Sequence, residues 1–364
     1  MIHSYLETRD AGFFSSLFFM INHYLYAKIN KRPFRLNTEN WLFKAESGWT
    51  DYFLPIDFDP SPTSSSPSPT SSSPSPTSCS PSPTSCSPLQ MQEKQIHGHA
   101  KILANYPMIL YRTIIPEIYR LNPEMNQRIE EARTVFNQFR ENSPVRLSLK
   151  NPPAMNLVEY GALFIRRGDK LIEESILVSA EHYLLYLVEL YPNIQTVFVQ
   201  TDDYNVFLEL LAYQEKTPQL QHIQLYTLCK PHLKGGMVIT KHYYDYCRSP
   251  DFETEIQKIC VPQNRAYLQA HQENLKAFVP LEMQTPDEIR EHTTDMLIGI
   301  DFLLKSKVCV TDYLSNVTRF IKFAHPKVDA VYDVLRRTNK LDMHIVGCPA
   351  YGMNFYLPEG GSER

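Results

Sequence analysis

Apolar and polar positions alternate with two different rhythms along the chain, and the change falls near residue 157. Beyond it, short apolar runs alternate with longer stretches of helical period. "YGALFI" predicts a strand, "SAEHYLLYLVELY" a helix, "TVFVQ" a strand, "YNVFLELLAYQE" a helix and "HIQLYTL" a strand. "TTDMLIGIDFLLKS", "KVCVT" and "SNVTRFIKFAH" then predict helix, strand and helix. Such alternation builds parallel βαβ units, so the expected class is α/β, with a doubly wound parallel sheet in the C-terminal half. Before residue 157 the pattern is richer in helix. A helix is predicted from Gly12 to Lys28 and a strand at "PFRLN", followed by "NWLF". Two further helical pieces are split near Pro123, the second opened by an Asn122 cap and an acidic first turn. The expected domains are therefore residues 1–156 and 157–364.

One stretch has no apolar pattern at all. Residues 60–87, within a Ser/Pro-rich tract spanning 58–90, read "PSPTSSS", "PSPTSSS", "PSPTSCS" and "PSPTSCS". A tract with nothing to bury cannot offset its own ordering entropy, so it is expected as a disordered surface insert. Even with this tract included, the 364 residues are 43% hydrophobic, enough for a sizeable core. The net charge of −4 supplies no global field for nucleic acid or anionic lipid, so any anion must be held by a local cationic cluster. Seven cysteines without a Cys-x-x-Cys pair indicate neither a zinc site nor a disulfide framework. "GFFSSLFFMINHYLYA" is the most apolar run, but Asn22 and His23 interrupt it short of the ~20 residues that a membrane span needs, and no basic segment precedes it. The expectation is a buried helix in a soluble, cytoplasmic protein.

Ligands of doubly wound sheets bind at the carboxyl ends of the strands. Three strand ends carry suitable groups. "ALFI" delivers Arg166 and Arg167, followed by Asp169 and Lys170, a cationic turn suited to a diphosphate. By itself this segment favours a solvated loop with internal Arg–Asp pairs. "VFVQ" ends in Thr201, Asp202 and Asp203, where an ordinary helix cap outweighs a catalytic role, although an aspartate there can orient an arginine. "KVCVT" is followed by Ser315 and Asn316, which open a helix with Arg319 one turn in. Each signal is weak by itself. Three on one sheet edge point to a ligand site.

These residues also carry a family resemblance. "FIRRGDK", "FVQTDD" and "LLKSKVCVTDYLSNVTRF" resemble, in order and spacing, three motifs of the α1,6-fucosyltransferase-like enzymes, which include the Nod-factor fucosyltransferases. "GFFSSLFFMINHYLYAKINKRPFRLNTENW", "GWTDYFLP" and "YRLNPEMNQRIEEA" resemble the N-terminal part of that family. The resemblance covers nearly the whole chain apart from the insert. It implies a GT-B-like fold of two Rossmann-like domains facing a cleft. It further implies an inverting, metal-independent transfer of fucose from GDP-fucose to a glycan hydroxyl, with no cofactor.

Under the resemblance, Arg166 and Arg167 bind the donor diphosphate, Lys170 assists, and Glu174 is the catalytic base. Gly12, Phe14 and Ser15 form the nucleotide-side loop, Ser315 and Asn316 the phosphate-side helix start, and Asp301 the guanine contact. Two nucleotide-touching residues depart from the family pattern. Phe164 stands where the family has His, and Phe43 where it has Tyr. They leave open an inactive nucleotide- or glycan-binding protein, or another nucleotide-sugar donor. The family's animal members have an anchor, a stem and an SH3-like domain; only a catalytic core is expected here.

Overall fold

The computed structural model describes residues 2–5, 12–60, 108–142, 159–168, 170–173, 176–234, 241–260, 262–312 and 314–337. The repeats from residue 61 onward, the expected domain boundary, Asp169 and Glu174 lie outside the described residues.

The chain begins with β1 (Ile2–Tyr5), α1 (Phe13–Ile29), β2 (Phe34–Asn37) and β3 (Asp57–Phe58). α2 (Met108–Ile118) and α3 (Pro123–Glu141) follow. The Asn122 side chain accepts from the Met125 amide at 2.8 Å, the cap expected from the sequence. β1 and β2 pair parallel and β2 and β3 antiparallel, forming a three-stranded sheet.

The second half contains β4 (Gly161–Ile165), α4 (Ala180–Leu190), β5 (Thr196–Thr201), α5 (Tyr204–Lys216) and β6 (Gln224–Thr227). After a group of short helices come α6 (Pro286–Lys305), β7 (Val308–Thr311), α7 (Asn316–Ala324) and β8 (Val331–Asp333). The five strands are parallel in the order β6-β5-β4-β7-β8. This is the doubly wound α/β sheet read from the alternating pattern.

Every residue of β4 is buried, and alternate side chains enter different cores. Ala162, Phe164, Phe198 and Cys309 face the core built with α1, α2, α3, α6 and α7. Leu163, Ile165, Val197, Val199 and Val310 face the core built with α4 and α5. That is the period-2 consequence of the strand backbone. The first core is continuous across both halves of the chain, from Phe13, Trp41 and Trp49 to Phe136, Phe302 and Phe320. Gly161 allows the close helix contact, since a Cβ there would lie 2.8 Å from Leu187 Cδ2.

The pattern did not mark β1, β3, β8 or the helices Lys241–Arg248, Phe252–Ile259, Pro262–Ala270 and Gln272–Ala277. The strands have two to four residues, too few for a period to show. The short helices bury a third cluster against Leu171 and Ile172. Among the described residues, no helix is long and apolar enough to cross a membrane.

Candidate functional site

The sheet changes direction between β4 and β7: the chain moves outward through β5 and β6, then returns to β7 and continues to β8. The crevice at such a point lies outside the carboxyl ends of the strands. A pocket of about 1260 Å³, including its open mouth, occupies that position.

One end of the pocket gathers groups for an anion. The first turn of α1 brings Gly12, Phe13, Phe14 and Ser15 to its wall, and the first turn of α7 brings Ser315, Asn316 and Val317. The two helix starts are tied together by Asn316 Nδ2, which donates to Ser15 Oγ at 2.6 Å. Arg319 Nη1 holds the other arm of that amide through Asn316 Oδ1 at 3.0 Å. Ser315 caps α7 by accepting from the Thr318 amide at 3.2 Å. First-turn amides have no intrahelical acceptors and carry the positive end of the macrodipole, so two such termini side by side favour a multiply charged anion. Arg166 and Lys170 face the same space from the end of β4.

Arg166 is fixed from below. Its Nη1 donates to Asp202 Oδ2 at 2.5 Å, while Asp202 Oδ1 accepts from the Arg167 backbone amide at 2.8 Å. One carboxylate at the end of β5 thus braces both the side chain and the backbone at the end of β4. The pair is mostly buried, with side-chain exposures of 10% and 7%, so Arg166 is held in one geometry.

The rest of the wall includes residues the motifs did not single out. Gln200 and the segment Leu228–Lys230 come from the ends of β5 and β6, while His292, Asp295, Met296 and Ile300 come from the inner face of α6. Lys230 pairs with Asp295 at 3.2 Å and with Glu291. Burial, then the charge of Lys230, holds the His292 imidazole below its usual range, so it is neutral at pH 7. Burial likewise raises the Cys229 thiol well above its usual range, leaving it protonated. Phe43 and Phe164 supply flat apolar wall, and Phe43 packs edge-on against Phe13 at 5.2 Å between ring centroids.

Several expected site residues lie elsewhere. Arg167 is 1% exposed and points to the opposite side of the sheet edge. There its Nη2 donates to the Val178 carbonyl at 2.7 Å, and its guanidinium lies 5.6 Å from the centre of the Tyr267 ring. Asp203 is fully buried, caps α5 through the Asn205 amide and accepts from the Tyr267 hydroxyl. Asp301 turns away from the pocket and forms a forked pair with Arg133 at 2.6 and 2.7 Å, while its neighbour Ile300 faces the cavity. The pocket therefore gathers Arg166, Lys170, Gly12, Phe14, Ser15, Phe43, Asp202, Ser315 and Asn316. Arg167, Asp203 and Asp301 are not on its wall.

The likeness in solved structures is to fucosyltransferases. The chain is similar to the NodZ α-1,6-fucosyltransferase in a crystal soaked with GDP-fucose, at 12% identity and TM-score 0.46, over 89% of this chain and 92% of that one. It is similar also to the fucosyltransferase NodZ from Bradyrhizobium, at 12% identity and TM-score 0.44, over 88% and 91% of the two chains. No family model matches the chain, and no curated protein sequence matches it. Likeness at this level carries no assignment, and the site is read from its own residues.

The backbone next to Lys170 is clamped by buried groups. Asn264 Nδ2 donates to the Leu171 carbonyl at 2.7 Å, and Asn264 Oδ1 accepts from the Leu177 amide at 2.8 Å. Cys260 Sγ adds a contact to the Ile172 carbonyl at 3.0 Å. The short helices missed in the sequence therefore position a residue that the sequence did suggest. Among the described residues, no group of three or more His, Cys, Asp and Glu side chains could hold a metal ion.

Proposed function

We propose that the pocket binds the diphosphate of a nucleotide sugar and that the protein is a glycosyltransferase. The carrying observation is Arg166, braced by Asp202, beside the joined N-termini of α1 and α7. With the motif resemblance, the specific reading is transfer of fucose from GDP-fucose to a glycan hydroxyl with inversion, of the α1,6 type and without a metal. The arrangement is GT-B-like and the setting cytoplasmic.

Breaking the sugar–phosphate bond leaves negative charge on the departing GDP. Arg166, Lys170 and the two helix termini line the pocket in which that charge would develop, which supports a preorganised stabilisation of the leaving group. Inversion requires one base on the acceptor side to take the hydroxyl proton. The family resemblance assigns that proton transfer to Glu174.

The test is a donor and acceptor assay on purified protein, with GDP release and labelled fucose both followed. GDP-fucose should be turned over in the presence of a fucose-accepting glycan, and Arg166→Ala should abolish most of that turnover. Binding of GDP without any sugar transfer would replace this reading by a nucleotide-binding protein. Failure of GDP, GDP-fucose and every other nucleotide sugar to bind would remove the site assignment altogether.

A further inference from the structure

His292 stands on the pocket wall in the second turn of α6, on the helical stripe that continues through Asp295, Met296 and Ile300. A short relay fixes which of its nitrogens carries the proton. Gln284 Nε2 donates to the Val279 carbonyl at 2.7 Å, so the arm of the carboxamide turned to the imidazole is Oε1. His292 Nδ1 lies 2.8 Å from that oxygen. An oxygen that can only accept requires a proton on Nδ1, which leaves Nε2 with a free lone pair on a neutral ring. The Phe278 ring lies nearly parallel to the imidazole, at 23° between planes and 6.3 Å between centroids, and steadies its orientation.

Nε2 has no hydrogen-bond partner among the described residues, and it is not one of the buried atoms sealed off without a partner. His292 is only half-buried and lines the pocket, so this nitrogen is open to a ligand. The charged groups beside the ring, Lys230, Glu291 and Asp295, pair with one another, and burial favours the neutral form of the imidazole. A lone acceptor restricts what it can meet. The diphosphate of a nucleotide sugar carries no hydrogen at pH 7, and its oxygens repel a nitrogen lone pair. The partner is therefore a hydrogen-bearing part of the ligand: a ribose hydroxyl, an N–H of the base or a hydroxyl of the sugar.

We propose that His292 is a substrate-binding residue whose Nε2 accepts a hydrogen bond from a hydroxyl or N–H group of the nucleotide sugar outside its diphosphate. This rests on reading the pocket as a nucleotide-sugar site. It adds a contact from α6 to a site otherwise defined by the ends of β4, β5, α1 and α7.

The test measures binding of inorganic pyrophosphate, GDP and GDP-fucose to the full chain by calorimetry, for the wild type, His292→Asn and His292→Gln. The Asn carboxamide reaches the place of Nδ1, keeps a donor for Gln284 and leaves nothing in the place of Nε2, whereas the longer Gln brings a carbonyl oxygen there. His292→Phe, which keeps a flat ring beside Phe278, is the second variant without the acceptor. Asn and Phe should weaken GDP-fucose by about fivefold to tenfold, the loss of one neutral hydrogen bond, with pyrophosphate unchanged, and Gln should restore affinity to within about twofold of wild type. Equal weakening of GDP identifies the nucleoside as the source of the hydrogen, and weakening confined to GDP-fucose identifies the sugar. Unchanged affinity for both nucleotides in a folded Asn or Phe variant overturns the proposal, as does a loss shared by pyrophosphate or one that Gln fails to restore. The nucleotide-sugar reading survives each of those results, because wild-type binding remains. If the wild type binds none of the three ligands, both fall together.

Discussion

Arg166 and Arg167 are adjacent in the sequence and opposite in use. Arg166 follows the parity of Ala162 and Phe164 and enters the pocket, where Asp202 holds it. Arg167 follows the parity of Leu163 and Ile165 and enters the interior beside Val178, Tyr267 and Glu209. Nearby, the Tyr183 hydroxyl donates to Asp312 at 3.3 Å, and burial pushes the Asp312 carboxyl above its ordinary range. One arginine is thus positioned to meet a ligand, and the other belongs to a buried polar cluster that joins the sheet to the short helices. A doubled arginine is therefore no evidence of a doubled binding role.

Stability should separate the two most strongly. Arg167→Leu leaves the buried Val178 carbonyl without its donor and removes a fully buried cation whose acidic partner Glu209 is part-exposed, and is expected to cost about 3 kcal/mol, read as a lower urea midpoint. Nucleotide affinity of the folded fraction should change little. If Arg167→Leu instead lost nucleotide binding at full stability, the contrast between the two side chains would be wrong. Arg166→Ala should show the reverse profile, with about 2–4 kcal/mol lost from the transition state for sugar transfer and a smaller change in melting temperature.

The clamp on the Lys170 segment gives a smaller effect. Asn264→Ala removes two buried hydrogen bonds and is expected to cost about 2 kcal/mol of stability, with the thermal midpoint as readout. Acidification should act more weakly still. Burial holds the His325 imidazole below its usual range, with Nε2 donating to the Ser306 carbonyl at 3.1 Å and Nδ1 accepting from the Lys327 amide at 3.0 Å. His292 is shifted in the same direction. The unfolded chain therefore binds more protons than the folded one below the unfolded value of 6.5, and stability present above that pH declines as pH falls. A melting series from pH 7.5 to 5.5 should show a loss of about 2–4 °C, reduced in His325→Gln. Deleting residues 60–87 should change least, within about 0.5 kcal/mol in stability and with turnover unaltered, because the tract has no apolar surface to bury.

The sequence showed the regular parts of this molecule because periodicity is a direct image of two-sided burial. Four of the five strands of the parallel sheet, the long helices and the Asn122 cap were legible on that basis. Arg166, Ser15, Ser315 and Asn316, which line the pocket, were legible as candidates because they lie at element ends, where motif order carries information. The orientation of Arg167 is also implicit in the alternation of β4, although the doubled arginine by itself reads only as a cationic cluster. Gln200 lies at the end of β5, and its close approach to Gly299 of α6 arises through tertiary packing alone. Lys230, His292 and Asp295 form no motif, and their proximity arises only when α6 crosses the ends of β5 and β6.

The bond between Ser15 and Asn316 joins residues 301 positions apart in the chain. Closing so long a loop comes late in folding, because its entropy is lost before its contacts are gained. During synthesis, α1 leaves the ribosome long before α7 exists, so the anion end of the pocket cannot form on a partial chain. A ligand seated there bridges one segment made early and one made 301 residues later. Its binding energy should therefore resist global unfolding, rising with ligand concentration, rather than merely quieting one loop.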